Sequence, residues 1–251
     1  MTDVDVIIVS DARDKSFQDI TEQALSSLIA SESLDEIVFH PVVIESAKRL
    51  EAENYAYIEA ESTLYPQEPF NYNRFLNIGY KATSSPYIVF CNNDLLFKPK
   101  WASLIVTFME ALPDLASASP MCGITGEHRG FTRRFQPQRI MYGYQVRLHI
   151  CGWCIFSRRV TIDAIGGFNE NYPFWYADNS YSEDLRRHRL KHALVLGSRV
   201  DHLGSKTLSS LDQASYSRMT FMERDKFAKE YGLVRTEFQE HIDKYNANNP
   251  G

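Results

Sequence analysis

Apolar runs that end in polar residues alternate with helical patterns through the first 120 residues. Residues 6–9 form an apolar run, and residues 16–29 then carry apolar side chains at helical spacing. Signals typical of β-hairpins are scarce in this half of the chain. Strands that alternate with helices favour parallel pairing through right-handed crossovers. We therefore predict an α/β fold whose first half contains a parallel sheet.

The predicted strands end in polar tips. Ser10 and Asp11 follow the first strand, Glu45 and Ser46 end the second strand region (35–46), and 92–94 (Asn-Asn-Asp) follows the strand 86–90. The carboxyl ends of parallel strands meet at one edge of a sheet, where ligands bind, so these tips predict a nucleotide-type pocket. The chain contains neither a dinucleotide-binding glycine motif nor a P-loop. Pro41 predicts a break or bulge in the second strand.

The composition is that of a globular protein with one sizeable domain, or one domain and an appendage. The chain has 251 residues and a formal net charge of −5, which argues against coating nucleic acid through bulk charge. No apolar run approaches the length of a transmembrane helix, and the first residues lack the layout of a signal peptide. We expect a cytoplasmic protein without a transmembrane segment. The sequence does not indicate its oligomeric state.

Four cysteines are present, two of them in the sequence CGWC at 151–154; the other two are Cys91 and Cys122. A C-x-x-C pair can be redox-active or half of a zinc site. No second pair lies at zinc spacing, and the flanking residues predict a strand in which positions three apart face opposite sides. Reduced cysteines in or near the core are the expected outcome.

Asp94 and His202 each follow a predicted strand. Asp94 at a strand tip could simply cap the next helix, and His202 could be an ordinary loop histidine. A carboxylate and an imidazole that meet, with open positions for phosphate oxygens, would instead suit Mn²⁺ or Mg²⁺. The metal interpretation therefore requires the two side chains to be neighbours in space.

Asp178 follows three aromatic residues, Phe174, Trp175 and Tyr176, at the predicted start of a helix near 178–179. A carboxylate beside aromatic walls could accept a proton or bind a sugar hydroxyl, although the same position also suits an N-cap. Burial would raise its pKa, and helix N–H groups would oppose that effect. Glu183 and Asp184 are second-choice bases, or surface partners of the arginines at 186–189.

Residues 128–149 contain five arginines interleaved with aromatic side chains and no acidic residue. Arginine can neutralise phosphates, and aromatic side chains can stack on bases or sugars. We expect this segment to contact an acceptor, with Arg133 and Arg134 as the leading candidates; a solvated loop is the simpler alternative. After residue 211 the chain predicts a polar helical tail.

Four segments in one order resemble glycosyltransferase family 2 with the GT-A fold, over roughly residues 4–206. They are 69–97 (PFNYNRFLNIGYKATSSPYIVFCNNDLLF), 151–171 (CGWCIFSRRVTIDAIGGFNEN), 174–187 (FWYADNSYSEDLRR) and 200–207 (VDHLGSKT). The resemblance implies a GT-A glycosyltransferase domain at 1–207. Its nucleotide-sugar-binding half would be 1–120 and its acceptor half 121–207, with a mixed central sheet. A C-terminal helical extension would follow at 208–251.

The resemblance also implies a role for each site residue. Asp94 and His202 would bind the metal, and Asp178 would be the catalytic base. Residues implied to bind the nucleotide sugar are Ser10, Asp11, Glu45, Asn77, Asn92, Asn93, Gly152 and Trp153. Residues implied to bind the acceptor are Arg133, Arg134, Trp175 and Tyr176. Two departures from the family pattern are Ala177, where a glutamate is frequent, and the neutral Asn92 at the first metal-motif position.

The implied activity is metal-dependent transfer of a sugar from a nucleoside-diphosphate sugar, with UDP expected, to an acceptor hydroxyl with inversion. A saccharide acceptor is favoured, and a hydroxymethylated pyrimidine in viral DNA is the alternative, which would require base flipping. A catalytically inert nucleotide-sugar-binding protein on the same fold is a rival from another class. A nucleotidyltransferase is a further rival, but residues 10–19 lack its usual glycine-rich phosphate loop.

Overall fold

A computed structural model describes residues 1–124, 128, 139–204 and 223–232. The chain divides into two compact units, Met1–Ser209 and Ser210–Gly251. The first contains the sheet and the candidate site. In the second, residues 223–231 are helical, and the rings of Phe227 and Tyr231 lie 4.7 Å apart. The rest of the predicted tail helix lies outside the described residues.

The described part of the first unit contains nine strands and six helices. The strands are β1 (Thr2–Ser10), β2 (Ile37–Glu45), β3 (Ser62–Leu64), β4 (Tyr87–Asn92), β5 (Leu95–Phe97), β6 (Leu115–Met121), β7 (Ile140–Tyr142), β8 (Cys154–Arg158) and β9 (Lys191–His202). The helices are α1 (Lys15–Ile29), α2 (Lys48–Ala52), α3 (Tyr72–Lys81), α4 (Trp101–Ala111), α5 (Arg159–Ile165) and α6 (Ala177–Arg187). No described helix combines the length and the apolar character that crossing a bilayer requires.

The strands form one mixed sheet in the order β3-β2-β1-β4-β8-β6-β9-β5, and β7 pairs with β9 outside this path. The pairs β3-β2, β2-β1 and β1-β4 are parallel, as the alternating strand and helix patterns predict. β8 then runs antiparallel to both β4 and β6, while β6 and β9 are parallel. The mixed α/β sheet predicted from the sequence is confirmed.

Helices cover both faces of the sheet. The side chains of β1 contribute to the buried clusters on both faces. Val4, Val6 and Ile8 belong to one buried cluster, whereas Ile7 and Val9 belong to another. Alternate strand side chains face opposite sides of a sheet, so the uninterrupted apolar run at 6–9 is suited to burial on both faces. Helices α1 and α4 contribute to the first cluster, and α3, α5 and α6 to the second.

The break or bulge expected at Pro41 is absent, because β2 pairs with β1 without a register shift from Ile37 to Glu45. The carbonyl of Pro41 accepts a hydrogen bond from Glu61 N at 2.8 Å, and the ladder with β3 begins only at Val42. The N–H that proline lacks would point away from β1, at a position where β3 has not yet begun. The strand therefore loses no ladder hydrogen bond at Pro41.

The CGWC segment is a turn rather than a strand. Cys154 N donates to Cys151 O at 2.8 Å, and β8 begins only at Cys154. The strand-based argument that the two thiols diverge was therefore wrong, since no strand runs through the motif. The expectation of reduced, core-located cysteines is confirmed: Cys91, Cys122, Cys151 and Cys154 are all free and buried.

Candidate active site

The three polar tips lie at one edge of the sheet, as the sequence predicts. Ser10 is the register partner of Glu45 in the β1-β2 pair, and Val9 is the partner of Asn92 in the β1-β4 pair. β1, β2 and β4 thus end within one residue of each other. This edge is the position at which α/β sheets bind ligands.

Asp94 and His202 meet at this edge because β5 pairs with the last strand. The antiparallel β5-β9 register places Leu95 opposite His202, and Leu203 N donates to Asp94 O at 3.0 Å. The Oδ1 atom of Asp94 consequently lies 3.2 Å from the Nε2 atom of His202. The two side chains are neighbours in space, which the metal interpretation requires. Their role as metal ligands remains a proposal.

The two facing atoms are suited to sharing a cation. Although they are 3.2 Å apart, neither Asp94 Oδ1 nor His202 Nε2 makes a hydrogen bond with good geometry among the described residues. Their side chains are only 12% and 19% exposed. A buried polar atom without a partner costs roughly 1–3 kcal/mol, and a divalent cation between these two would satisfy both. This oxygen and nitrogen donor pair fits Mn²⁺ or Mg²⁺.

The described residues contain no group of three or more His, Cys, Asp or Glu side chains that could hold a metal. Among the described residues, Asp94 and His202 would therefore be the two protein ligands of a bound cation. Such a site leaves positions open for water and for the phosphate oxygens of a ligand, as is usual for Mg²⁺ and Mn²⁺ bound with phosphates.

His202 is held from two sides. The ring of Trp153 stacks on its imidazole, with centroids 5.5 Å apart and planes 16° from parallel. The backbone N–H of His202 donates to Cys122 Sγ at 3.4 Å. Trp153 is itself anchored to the strand tip, because its carbonyl accepts a hydrogen bond from Asn92 N at 3.0 Å. The turn at 151–154 therefore orients the imidazole.

Tyr72 contacts both the tip of β4, near Asp94, and the 151–154 turn that packs on Asp178. It was not identified from the sequence. Its hydroxyl donates to Asn92 Oδ1 at 2.9 Å and lies 3.4 Å from Gly152 O. Burial, aided by surrounding thiols and by Asp178 and Asp94, raises the pKa of Tyr72 well above its ordinary value. The hydroxyl therefore keeps its proton and remains a donor. Its helical spacing alone is that of a core residue, so no sequence signal distinguishes it.

Asp178 lies in the first turn of α6, which begins at Ala177 rather than at 178–179 as predicted. It lies against the 151–154 turn: a Cβ added to Gly152 would come within 2.9 Å of Asp178 Oδ2. Burial raises the pKa of Asp178, and the N–H of Asn179, at 2.9 Å from Oδ1, and the charge of Arg147 oppose this. The carboxylate is thus held in a partly desolvated setting suited to a general base.

Aromatic residues precede Asp178, as the sequence indicated. The rings of Phe174 and Trp175 lie 5.1 Å apart at 83°. Tyr176 is buried and has a φ of 60°, which is left-handed and uncommon for an aromatic residue. This backbone conformation turns the chain into α6 immediately before the candidate base.

The second-choice bases are less suited to proton transfer than Asp178. Glu183 makes an ion pair with Arg186 at 3.1 Å along the same helix, and this arginine lies 5.4 Å over the ring of Tyr144. Asp184 lies near the C-terminal end of α6, about one and a half turns from Asp178. Asp178 alone among the three lies against the 151–154 turn.

Glu45 and Ser10 are used inside the protein rather than presented to a ligand. Glu45 Oε1 accepts from Ala12 N at 3.1 Å and Ala47 N at 2.8 Å, and Oε2 accepts from the Tyr57 hydroxyl at 2.6 Å. Ser10 is bonded to Thr21 and Tyr57, and both Ser10 and Glu45 are 1% exposed. These contacts argue against the expected nucleotide roles of both residues. Ser10 and Glu45 belong to a buried hydrogen-bond network that joins the ends of β1 and β2.

Two other residues implied to bind the nucleotide remain near the surface of this edge. Asp11 is partly exposed and accepts from Arg13 Nε at 2.7 Å. Asn93 donates to Thr21 Oγ1 at 2.9 Å through its Nδ2 atom, which leaves its carbonyl oxygen as an available acceptor. Both residues remain candidates for contacts with the nucleotide.

The side chain of Asn77 joins helix α3 to the turn that follows α5. Its Nδ2 donates to Phe168 O and Glu170 Oε1, and its Oδ1 accepts from Phe168 N at 2.8 Å. Gly167, with a φ of 88°, allows this approach, because a Cβ there would lie 2.9 Å from Asn77 Oδ1. The amide of Asn77 thereby has all its hydrogen-bond partners within the protein, which argues against the nucleotide-sugar role implied by the resemblance.

Arg133 and Arg134, the arginines implied to bind the acceptor, lie outside the described residues.

No protein-family model and no curated protein matches the sequence. Solved structures do match the fold. GalNAc-T7 with UDP, GalNAc and Mn²⁺ aligns at a TM-score of 0.64 and 13% identity, covering 98% of this chain and 54% of that one. A mannosyltransferase from Pyrobaculum calidifontis with GDP-Man and Mn²⁺ aligns at a TM-score of 0.56 and 16% identity, and the match covers 81% of this chain and 58% of that one.

A third similar structure is a Drosophila β1,4-galactosyltransferase 7 variant in complex with manganese, UDP-Gal and xylobiose. It aligns at a TM-score of 0.51 and 13% identity, and the match covers 87% of this chain and 80% of that one. At these identities the likeness concerns the fold. The protein has the GT-A fold of nucleotide-sugar glycosyltransferases.

Proposed function

We propose that this protein is a metal-dependent glycosyltransferase that transfers a sugar from a UDP-sugar to a saccharide hydroxyl with inversion. The observation that carries the proposal is the pair Asp94 Oδ1 and His202 Nε2, 3.2 Å apart and without hydrogen-bond partners among the described residues. On a sheet edge of this fold, such a pair supports the binding of a cation together with a diphosphate.

The donor side is organised by the strand tips. Asp94 and His202 would hold Mn²⁺ or Mg²⁺, which when bound supplies Lewis-acid stabilisation of the diphosphate leaving group. Trp153 fixes the His202 ring by stacking, and Tyr72 fixes the Asn92 side chain through its hydroxyl. Asp11 and Asn93 are two partly exposed polar side chains at this edge that would be accessible to the nucleotide.

The acceptor side is organised by α6. Asp178 would take the proton of the acceptor hydroxyl as that oxygen attacks the anomeric carbon. The raised pKa of Asp178, caused chiefly by burial, makes it a stronger base than an ordinary carboxylate. Attack from the face opposite the leaving diphosphate is a single displacement and inverts the anomeric configuration. No protein nucleophile is required.

The choice of UDP and of a saccharide acceptor is supported by similar folds, two of which contain UDP or UDP-Gal and one of which contains xylobiose. A DNA acceptor is the alternative that the sequence left open, on the strength of the basic and aromatic segment 128–149. Arg133 and Arg134 of that segment lie outside the described residues, and the net charge of −5 does not favour this acceptor.

The decisive experiment measures donor binding and turnover together. The purified chain is titrated calorimetrically with UDP, with and without Mn²⁺, and then incubated with a panel of UDP-sugars and oligosaccharides. Metal-dependent UDP binding and a glycosylated product of inverted configuration are expected. Metal-dependent binding without hydrolysis or transfer would instead identify an inert nucleotide-sugar-binding protein.

A further inference from the structure

The charge of Arg147 acts on the candidate base Asp178, and the donor-side chemistry leaves this cation without a role. It is exposed, and no described residue forms an ion pair or side-chain hydrogen bond with its guanidinium. It lies in the turn 145–150, directly before the 151–154 turn whose Gly152 lies against Asp178. A guanidinium in this setting is an open binding group for a planar anion.

The backbone at Arg147 is strained, and the strain is retained by a well-bonded turn. Its φ is 71°, a left-handed value that costs roughly 1–2 kcal/mol for a residue with a Cβ. Arg147 N donates to Ile150 O at 2.9 Å, and His149 N and Ile150 N both donate to Gln145 O. Glycine would satisfy this backbone without cost, so the arginine side chain is the feature that needs an explanation.

The position of this turn relative to α6 is set by packing. Ser182 Oγ donates to Tyr144 O at 2.6 Å, and Arg186 lies over the Tyr144 ring. The helix that carries Asp178 is therefore docked on the segment that leads into Arg147. Four of the five described non-glycine residues with positive φ (Asn54, Lys100, Tyr176 and Arg189) lie at or next to helix ends, whereas Arg147 lies in the turn 145–150, away from any helix end.

We infer that Arg147 binds an anionic group, a carboxylate or a phosphate, on the acceptor saccharide close to the hydroxyl that is glycosylated. This inference rests on the proposed function and specifies its acceptor class. An arginine forms two parallel hydrogen bonds with either anion, which would position the hydroxyl relative to Asp178.

The electrostatic interaction between Arg147 and Asp178 supports this inference. The charge of Arg147 lowers the pKa of Asp178 and so opposes the effect of burial. An uncompensated cation beside a general base weakens that base. When an anionic acceptor binds Arg147, its charge offsets the arginine and restores the basicity of Asp178. Recognition of the right acceptor and activation of the base would then occur together.

The test uses matched acceptors that differ only in charge. The chain is supplied with Mn²⁺ and the UDP-sugar that it hydrolyses, and offered methyl glucoside, methyl glucuronide and methyl glucoside 6-phosphate, with the corresponding galactosides in parallel. The carboxylate and phosphate members identify which anion is preferred. A duplex DNA oligonucleotide containing hydroxymethylcytosine is a further arm. Donor hydrolysis without acceptor is measured in every sample.

Three variants separate recognition from folding. Arg147→Gly removes the guanidinium and suits the left-handed backbone, so it should fold at least as well as the wild type. Arg147→Lys retains the charge but loses the bidentate geometry. Arg49→Gln, which removes an exposed arginine paired with Glu53 on α2, is the matched control. Donor hydrolysis should be unchanged in the control Arg49→Gln, and metal-dependent UDP binding by Arg147→Gly shows that this variant is folded.

We expect the wild type to prefer one anionic acceptor over its neutral partner by at least about tenfold in kcat/KM. Arg147→Gly should abolish this preference, and Arg147→Lys should retain part of it. Equal use of neutral and anionic saccharides, a preference that survives in Arg147→Gly, or transfer to the DNA alone would overturn the inference while leaving glycosyl transfer intact. Absence of UDP binding and donor hydrolysis would refute the proposed function, and the inference with it.

Discussion

Gly152 and Asp178 are in such close contact that no side chain fits between them. A Cβ on Gly152 would lie 2.8 Å from Asp178 Cβ and 2.9 Å from its Oδ2. The turn that carries Trp153 towards His202 is thus in direct contact with the helix that carries the candidate base. The absence of a side chain at residue 152 lets the 151–154 turn pack directly against the first turn of α6.

Gly152→Ala should therefore displace Asp178 and lower kcat for transfer by about tenfold to a hundredfold, because a shift near 1 Å can misalign a base with its acceptor. UDP affinity should change little. Steady-state kinetics and calorimetry check the two effects. Gly123→Ala is the control, since its Cβ would meet Asp201 Oδ1 at an ordinary 3.5 Å. Full activity in Gly152→Ala would contradict the tight contact.

Removal of either proposed metal ligand should abolish the Mn²⁺ dependence of UDP binding. Asp94→Ala and His202→Ala should each weaken UDP affinity in Mn²⁺ by more than about a hundredfold, since even residues that only support ligands cost 10–100-fold. The double variant should be no weaker than the single variants, because the two residues act on one ion. Calorimetry with and without Mn²⁺ measures this. Additive losses would indicate two separate sites.

Trp153→Ala should leave both ligands in place but loosen the His202 ring, which stacks on the indole at 5.5 Å. We expect a smaller loss of Mn²⁺ affinity, roughly tenfold. Electron paramagnetic resonance titration of free Mn²⁺ measures it without requiring turnover. Unchanged Mn²⁺ affinity would show that the stacking does not position the ligand.

The pH dependence follows from the raised pKa of Asp178. The transfer rate should rise with pH through a pKa above the ordinary value of about 3.9, because the base must be ionised. For stability, the fold favours the neutral carboxyl. Its contribution is fully present below about pH 4 and is lost as pH rises through the folded-state pKa. Burial is the main cause, opposed by Asn179 N–H and Arg147.

Asp178→Asn should consequently be inactive in transfer, yet more stable than the wild type at pH 7. The difference in the free energy of unfolding should shrink towards zero below about pH 4. Urea unfolding across this range measures it, and UDP binding should persist. A variant that transfers sugar normally would exclude Asp178 as the base.

Glu45→Ala should destabilise the protein, because three buried donors lose their acceptor. We expect a loss of about 3–5 kcal/mol, seen as a lower Tm, whereas Tyr57→Phe should cost about 1–2 kcal/mol. Thermal unfolding distinguishes the two variants. An unchanged Tm together with lost UDP affinity would support the nucleotide role that the sequence resemblance implied.

The sequence was informative wherever a local pattern fixed both an element and its end. The apolar run of β1 and the polar residues after it predict a strand and its tip, because alternation and burial are local properties. Glu45 shows the limit of such reasoning. Its place at a strand tip could be predicted, but whether it contacts ligand or Tyr57 depends on a residue 12 positions away. Tyr72 was missed for the same reason, since its partner Asn92 lies 20 positions away.

By itself, the sequence determined the alternation of strands and helices, the polar tips at one sheet edge, and the positions of Asp94, Asp178 and His202 along the chain. The tertiary structure decided which of these residues meet. Asp94 and His202 are brought together by the β5-β9 pairing, and Asp178 is placed by contact with Gly152. Periodicity and turn chemistry act over a few residues, whereas strand pairing and packing join residues far apart along the chain.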